Sequence, residues 1–142
     1  MHVRLGLAIT SAPFFWRVIF VLLLIVVSYL ALTPAPPQSI DLGWDKLNHM
    51  TAFATLAAVG CLSFAASSRH RIMVLLGLFT YGVAIEIIQF FLPGRSCEWG
   101  DLFADSIGIT FGALVALFLL RIASRASSGK GQIKSDKKKP SG

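Results

Sequence analysis

The stretch IMVLLGLFTYGVAIEIIQFFL, residues 72–92, decides the fold class of this chain. It holds one formal charge, Glu86, inside a continuous run of apolar residues. At about 1.5 Å of rise per residue, an α-helix of this length reaches about 30 Å, which is the thickness of the hydrocarbon core of a bilayer. The stretch therefore predicts a helix that crosses a membrane.

Three further stretches have a similar length and composition. Residues 14–32 contain only Arg17 as a charge, residues 47–66 contain His49 near their start, and residues 102–122 follow the third stretch. The whole composition agrees, because 55% of the chain is hydrophobic and only 14% is charged. A signal peptide is the alternative for the first stretch, but its apolar run exceeds the roughly 7–15 residues of a signal core. We expect an all-α membrane protein, a four-transmembrane-helix bundle.

Lysine and arginine residues are distributed unevenly between the two ends of this predicted bundle. Eleven fall on one side, and two fall on the other. The eleven are Arg4, Arg17, Arg69, Arg71, Arg121, Arg125, Lys130, Lys134, Lys137, Lys138 and Lys139, and the two are Lys46 and Arg95. Short loops rich in lysine and arginine stay in the cytoplasm. We therefore expect both the N-terminus and the C-terminus to be cytoplasmic.

The sequence divides into three segments. We predict a cytoplasmic N-terminus at residues 1–13, a membrane domain at 14–122 and a basic, disordered cytoplasmic tail at 123–142. The tail is too polar to pack, and we interpret it as a solvated topology anchor, with attraction to anionic lipids as the alternative. Its basic residues are not interleaved with aromatic ones, so no nucleic-acid partner is predicted.

Ionisable residues gather at the predicted outer ends of the second and third helices. Asp45, Lys46 and His49 are three or four residues apart, so they share one helical face. Glu86 and Gln89 share a face near the end of the third helix. Taken alone, Asp45 is equally well explained as a helix N-cap, and a histidine such as His49 is usually an interfacial residue. Glu86 is the strongest functional candidate, because a carboxylate inside a membrane helix is costly.

The loop after the third helix and the start of the fourth add further polar residues. Arg95 lies in the loop, where an arginine by default extends toward lipid head groups. Asp101 and Asp105 are four residues apart and share a face, with an N-cap as the alternative for Asp101. Gly108 and Gly112 follow at the spacing typical of close helix packing, and we interpret them as a packing groove.

Taken together, these residues follow one another in a recognisable order. They read Asp45-Lys46-x-x-His49, then Glu86-x-x-Gln89, then Pro93-Gly94-Arg95, then Asp101-x-x-x-Asp105-x-x-Gly108-x-x-x-Gly112. In this order, over about residues 14–122, the chain resembles the VanZ-like family. Many relatives have asparagine at the position of Asp105, which leaves the role of this extra carboxylate open.

The resemblance implies a small multi-pass protein of the bacterial cell (inner) membrane. The founding member of the family is associated with resistance to teicoplanin, an antibiotic of the glycopeptide class that binds cell-wall precursors. For this chain the resemblance makes antibiotic resistance one expectation and a general role in the cell envelope another.

The leading hypothesis is that the outer polar residues bind an anionic envelope lipid, such as a polyprenyl carrier or precursor. Lys46, His49 and Arg95 would contact its phosphate, while Glu86 and Asp105 orient these groups. The oxygens of Asp45, Asp101 or Asp105 could in addition hold a divalent cation that bridges to the phosphate, although no metal ligand or cofactor is assigned.

Three alternatives remain open from the sequence. The first is a membrane enzyme acting on a lipid-linked phosphate, with Glu86 or His49 as general base. The chain shows no familiar nucleophile motif, so we favour binding over catalysis. The others are a proton-linked transporter that uses Glu86 and a structural membrane subunit. The oligomeric state is not predicted.

Overall fold

The computed structural model describes residues 13–33, 45–93 and 98–136, and side chains for 13–33, 46–93 and 98–125. These residues form four helices: α1 (Pro13–Leu32), α2 (Asp45–Ser63), α3 (Ser68–Phe90) and α4 (Trp99–Asp136). No strand occurs in the described ranges, which confirms the predicted all-helical class for them. By length and composition, α1, α3 and the Trp99–Arg125 part of α4 can cross a membrane. The fourth predicted crossing, α2, is not apolar enough to belong to this set.

The composition of α2 follows from its central position. It packs most extensively against α4 and also contacts α1 and α3. Between residues 46 and 63 only Thr51 and Thr55 are exposed. A Cβ added at Gly60 would lie 2.6 Å from Val74 of α3 and 2.9 Å from Phe20 of α1. Because protein rather than lipid surrounds α2, small and polar residues replace the large apolar ones of its neighbours.

The helices α2 and α4 run parallel to one another in close contact. Gly108 of α4 faces the backbone of Met50, and Gly112, one turn later, faces the backbone of Ala54. A Cβ at Gly112 would lie 2.8 Å from the carbonyl carbon of Ala54, well inside normal contact distance. Glycine at both positions lets the two backbones approach this closely. The parallel register places the first turns of α2 and α4 at the same end of the bundle.

The helix α1 lies at the outside of the bundle and is joined to α3 by hydrogen bonds. The hydroxyl groups of Ser28 and Tyr81 are 2.8 Å apart, and Gln89 Nε2 donates to the carbonyl oxygen of Ala31 at 2.8 Å. No residue of α1 is buried. These hydrogen bonds fix the position of a helix that has little buried surface of its own.

Large apolar side chains cover the outward faces of α1, α3 and α4. Exposed examples are Phe14, Ile25 and Tyr29 on α1, Met73, Phe79 and Phe90 on α3, and Phe103, Phe111 and Phe118 on α4. Soluble monomers rarely expose continuous apolar patches of this extent. Together with the helix lengths, this surface is that of an integral membrane protein.

The helix α4 extends beyond the end that was predicted for it from the sequence. The predicted membrane domain ends at residue 122, and the helix continues past it to Asp136. Adding residues to an existing helix avoids the cost of nucleation, and no proline occurs in this segment. The remaining predicted tail, residues 137–142, lies outside the described residues, as does the N-terminal segment 1–12.

Candidate functional site

Four helix ends meet at one end of the bundle, which we call the polar end. They are the last turns of α1 and α3 and the first turns of α2 and α4, brought together by the alternating direction of the helices. The side chains that define the polar end are Lys46, His49, Glu86, Gln89, Glu98, Asp101 and Asp105. Residues far apart in the sequence, on three helices, thus form one polar cluster.

The ammonium group of Lys46 lies at the exposed edge of the polar end. Its Nζ is 2.7 Å from Glu98 Oε2 and 3.5 Å from Asp101 Oδ1, and its side chain is 34% exposed. The absence of a Cβ at Gly100 makes room for the Lys46 side chain, because a Cβ there would lie 2.6 Å from Lys46 Cε.

Deeper in the bundle, His49 is paired with Asp105. His49 Nδ1 is 3.0 Å from Asp105 Oδ1, and the two side chains are only 10% and 1% exposed. With the carboxylate ionised, the ring N–H at Nδ1 is the donor. Gly82 of α3 accommodates the carboxylate, because a Cβ there would lie 2.8 Å from Asp105 Oδ2.

Glu86 is buried between the helix ends, with 5% of its surface exposed. Its Oε2 accepts a hydrogen bond of 3.1 Å from the backbone N–H of Glu98. Its Oε1 is fully buried and has no hydrogen-bond partner among the described residues. Native proteins seldom leave a buried polar atom in this condition, because the lost hydration is not replaced.

Three donor groups from three helices, one of them Glu86, lie close together. One potential ligand atom from each of His49, Glu86 and Asp101 lies within 4.8 Å of the other two. An imidazole nitrogen with two carboxylate oxygens is a donor set that suits divalent metal ions. The same groups can also accept and donate protons, since His49 is held by a carboxylate.

Two further contacts of predicted site residues were not expected from the sequence. Gln89 is directed to α1, where it bonds Ala31. Asp101 is not the N-cap of α4, because the helix already begins at Trp99; its side chain is buried beside Lys46 instead. The side chain of Asp45 and the whole of Arg95 lie outside the described residues.

Glu98, which joins two parts of the polar end, was not predicted from the sequence. Its carboxylate pairs with Lys46 and its backbone N–H binds Glu86. The signal was its position three residues before Asp101 at the start of a helix, a spacing that puts two side chains on one face. Tyr81 was also missed, because its hydrogen bond to Ser28 depends on how α1 packs against α3.

Arginine side chains occupy the opposite end of the bundle, which we call the basic end. Those described are Arg17, Arg69, Arg71, Arg121 and Arg125. The Arg71 guanidinium donates to the carbonyl oxygens of Phe64 and Ala65 and so holds the connection between α2 and α3. Arg17 lies over the Phe64 ring, 4.8 Å from its centroid. The two ends of the bundle therefore differ strongly in charge.

The helices face lipid on their outer sides and surround a buried cluster of ionisable residues. The molecule is therefore a small polytopic helical membrane protein with a polar site inside its bundle. A sequence profile of the VanZ/LLP1 family matches residues 15–121. The chain belongs to this family, which confirms the resemblance carried by the motifs.

A relative among known proteins comes from the fission yeast Schizosaccharomyces pombe and is itself uncharacterized. It is 32% identical over 100 residues, which cover 68% of this chain. The chain spans 59% of the length of that relative. No solved structure matches the chain.

Proposed function

We propose that this protein binds the phosphate-bearing head group of an anionic membrane lipid at its polar end. The observation that carries the proposal is the position of Lys46. Its ammonium is fixed at the open edge of a buried cluster by Glu98 and Asp101. An ammonium has three N–H donors, and the third has no partner among the described residues. A phosphate oxygen is a suitable acceptor for it.

The proposal includes a membrane orientation. The helix α2 has 19 residues, which span about 28 Å at the helical rise, and it connects α1 with α3 inside the bundle. We therefore take it as the fourth crossing. Because the described arginines lie at the basic end, that end and both termini are placed in the cytoplasm. The polar end then lies at the outer leaflet, within reach of lipid head groups.

The surface beside Lys46 suits a lipid. Trp99 is 87% exposed next to Glu98, and Phe90 and Phe91 are exposed on the neighbouring α3 end. Aromatic residues prefer the interface between acyl chains and head groups. A lipid can thus lie with its chains along these apolar residues while its phosphate meets Lys46, with His49 and Arg95 as the further predicted contacts.

Two classes of lipid combine acyl or prenyl chains with an anionic phosphate group. One is an anionic glycerophospholipid, which would give the protein a general role in the cell envelope. The other is a polyprenyl-linked carrier or cell-wall precursor. With the second class the role extends to teicoplanin resistance, because the antibiotic binds cell-wall precursors.

The test is native mass spectrometry of protein released from its own membranes, with fragmentation of any retained lipid. We compare wild type, Lys46→Gln and the control Arg125→Gln, which removes the same charge from an exposed position at the basic end. We expect wild type and Arg125→Gln to retain a defined anionic lipid and Lys46→Gln to lose it. Equal retention by all three would refute the proposal. The fragments distinguish polyprenyl from glycerol lipids.

A second function, hydrolysis of a lipid-linked phosphate, is favoured by the His49–Asp105 pair. A histidine oriented by a buried carboxylate is a common general base, and it can activate water for attack on phosphorus. The assay is release of inorganic phosphate from a polyprenyl diphosphate by the purified protein, compared with His49→Gln. If the protein retains lipid but releases no phosphate, its function is lipid binding without hydrolysis.

A further inference from the structure

We infer that His49, Glu86 and Asp101 bind a divalent transition-metal ion, for which Zn²⁺ and Mn²⁺ are suitable probes, and that Asp105 positions the histidine. The inference goes beyond lipid binding and does not depend on it, because all the proposed ligands are protein atoms. It rests on four observations: the spacing of the donor atoms, the condition of Glu86, the pairing of His49 and the charge of the polar end.

The spacing of the donor atoms comes first. They lie within 4.8 Å of one another, on three different helices. In a tetrahedral site with bonds of about 2.1 Å, ligand atoms are about 3.4 Å apart. Side-chain movements of about 1 Å therefore complete the site, and no helix has to move. Since all three side chains are attached to packed helix ends, the site is largely preformed.

Glu86 supplies the second observation. Its Oε2 already accepts the backbone N–H of Glu98, but Oε1 has no hydrogen-bond partner among the described residues and is fully buried. A metal ion would give this oxygen a partner. If Glu86 had only a structural role, both of its oxygens would be expected to accept hydrogen bonds. A structural role therefore does not explain why only one is bonded while the other lies close to His49 and Asp101.

The third observation is the pairing of His49 with Asp105. Metal-bound histidines usually donate their second ring N–H to a carboxylate or a carbonyl, which fixes the tautomer and the ring orientation. Here Nδ1 lies 3.0 Å from Asp105 Oδ1, so a metal ion at this site would be bound through Nε2. Asp105 is therefore a positioning residue. This assignment also gives a role to the carboxylate that the sequence analysis left unexplained.

The charge of the polar end is the fourth observation. Among its described side chains, four carboxylates face one lysine and one histidine. The carboxylates are Glu86, Glu98, Asp101 and Asp105, and all but Glu98 are buried. Buried carboxylates require a counter-charge. A divalent cation would add to the positive charge of Lys46 and His49, and three protein ligands leave a coordination position open for a phosphate oxygen or water.

The experiment uses the full chain in a nonionic, phosphate-free detergent after treatment with a chelator. Zn²⁺ or Mn²⁺ is added, free metal is removed, and the metal bound per chain is measured by elemental mass spectrometry, with thermal unfolding in parallel. The variants are Glu86→Gln, His49→Gln and Asp105→Asn. Arg125→Gln is the control, because it changes an exposed charged residue at the basic end, away from all the proposed ligands.

We expect one ion per chain in wild type and in Arg125→Gln, with a higher unfolding temperature when metal is bound. Asp105→Asn should weaken binding by about 10–100-fold, the usual effect of losing such a partner, and the two ligand variants by more. No binding by wild type, or equal binding by Glu86→Gln, would overturn the inference. If the variants fail to fold, Co²⁺ added to wild type decides, because aqueous Co²⁺ absorbs visible light only weakly and intense visible bands require coordination by protein ligands in a tetrahedral site. Metal binding without lipid retention would refute the proposed function alone.

Discussion

The contact between α2 and α4 makes a specific prediction for Gly112→Ala. The added methyl carbon would lie 2.8 Å from the carbonyl carbon of Ala54 and 3.0 Å from its Cα. Carbon atoms normally pack at about 3.5–4.0 Å, so the two helices must separate by about 1 Å. Overpacking of this kind costs about 1–3 kcal/mol of unfolding free energy.

The increased distance between α2 and α4 should extend to the polar end. Asp105 lies two helical turns before Gly112 on α4, and its bond to His49 on α2 measures 3.0 Å. An added 1 Å takes this distance beyond the range of a hydrogen bond. Gly112→Ala should therefore weaken the polar end as well as the fold, and any ligand bound there should be lost in part.

The assay is reversible unfolding in mixed micelles of a mild detergent and dodecyl sulfate, followed by circular dichroism. Gly77→Ala on α3 is the control, because a Cβ at Gly77 has no neighbour within 4 Å. Alanine favours a helix over glycine by about 1 kcal/mol, so the control should be neutral or stabilised. If Gly112→Ala unfolds no more readily than Gly77→Ala, the close α2–α4 contact described above is wrong.

Three further substitutions test the remaining contacts. Gly82→Ala should displace the Asp105 carboxylate and lower the unfolding temperature, whereas a value equal to wild type would contradict the close contact. Tyr81→Phe removes the bond to Ser28 and should cost about 0.5–1.5 kcal/mol in the same unfolding assay; no change would mean that the bond contributes nothing. Gln89→Leu frees the end of α1, so proteolysis near that end should accelerate, and an unchanged rate would argue against this attachment.

The boundaries of the apolar helices could be read from the sequence, because lipid-facing helices need long uncharged runs. The first predicted stretch, 14–32, nearly coincides with α1 (Pro13–Leu32). The end of α4 could not be read in this way, since residues 123–136 are polar and their helix depends on continuation from the membrane part rather than on apolar content.

The polar end was predictable only in part. Helical spacing and alternating helix direction were enough to expect Lys46, His49, Glu86, Asp101 and Asp105 at one end of the bundle. Which of them pair was not predictable, because pairing depends on the register between helices. That register is set by contacts such as Gly108 against Met50, which leave no trace in the spacing of the charged residues.

The enclosure of α2 has a consequence for the order of assembly. The chain is synthesised from its N-terminus, so α2 is made well before α4, against which it packs most extensively. Until α4 arrives, the α2 backbone at Met50 and Ala54 lacks the glycines that cover it in the finished bundle. His49 likewise lacks its contact with Asp105 until α4 has been made. The polar end is therefore completed last, and a chain that stalls before α4 exposes α2, which is less apolar than α1 and α3.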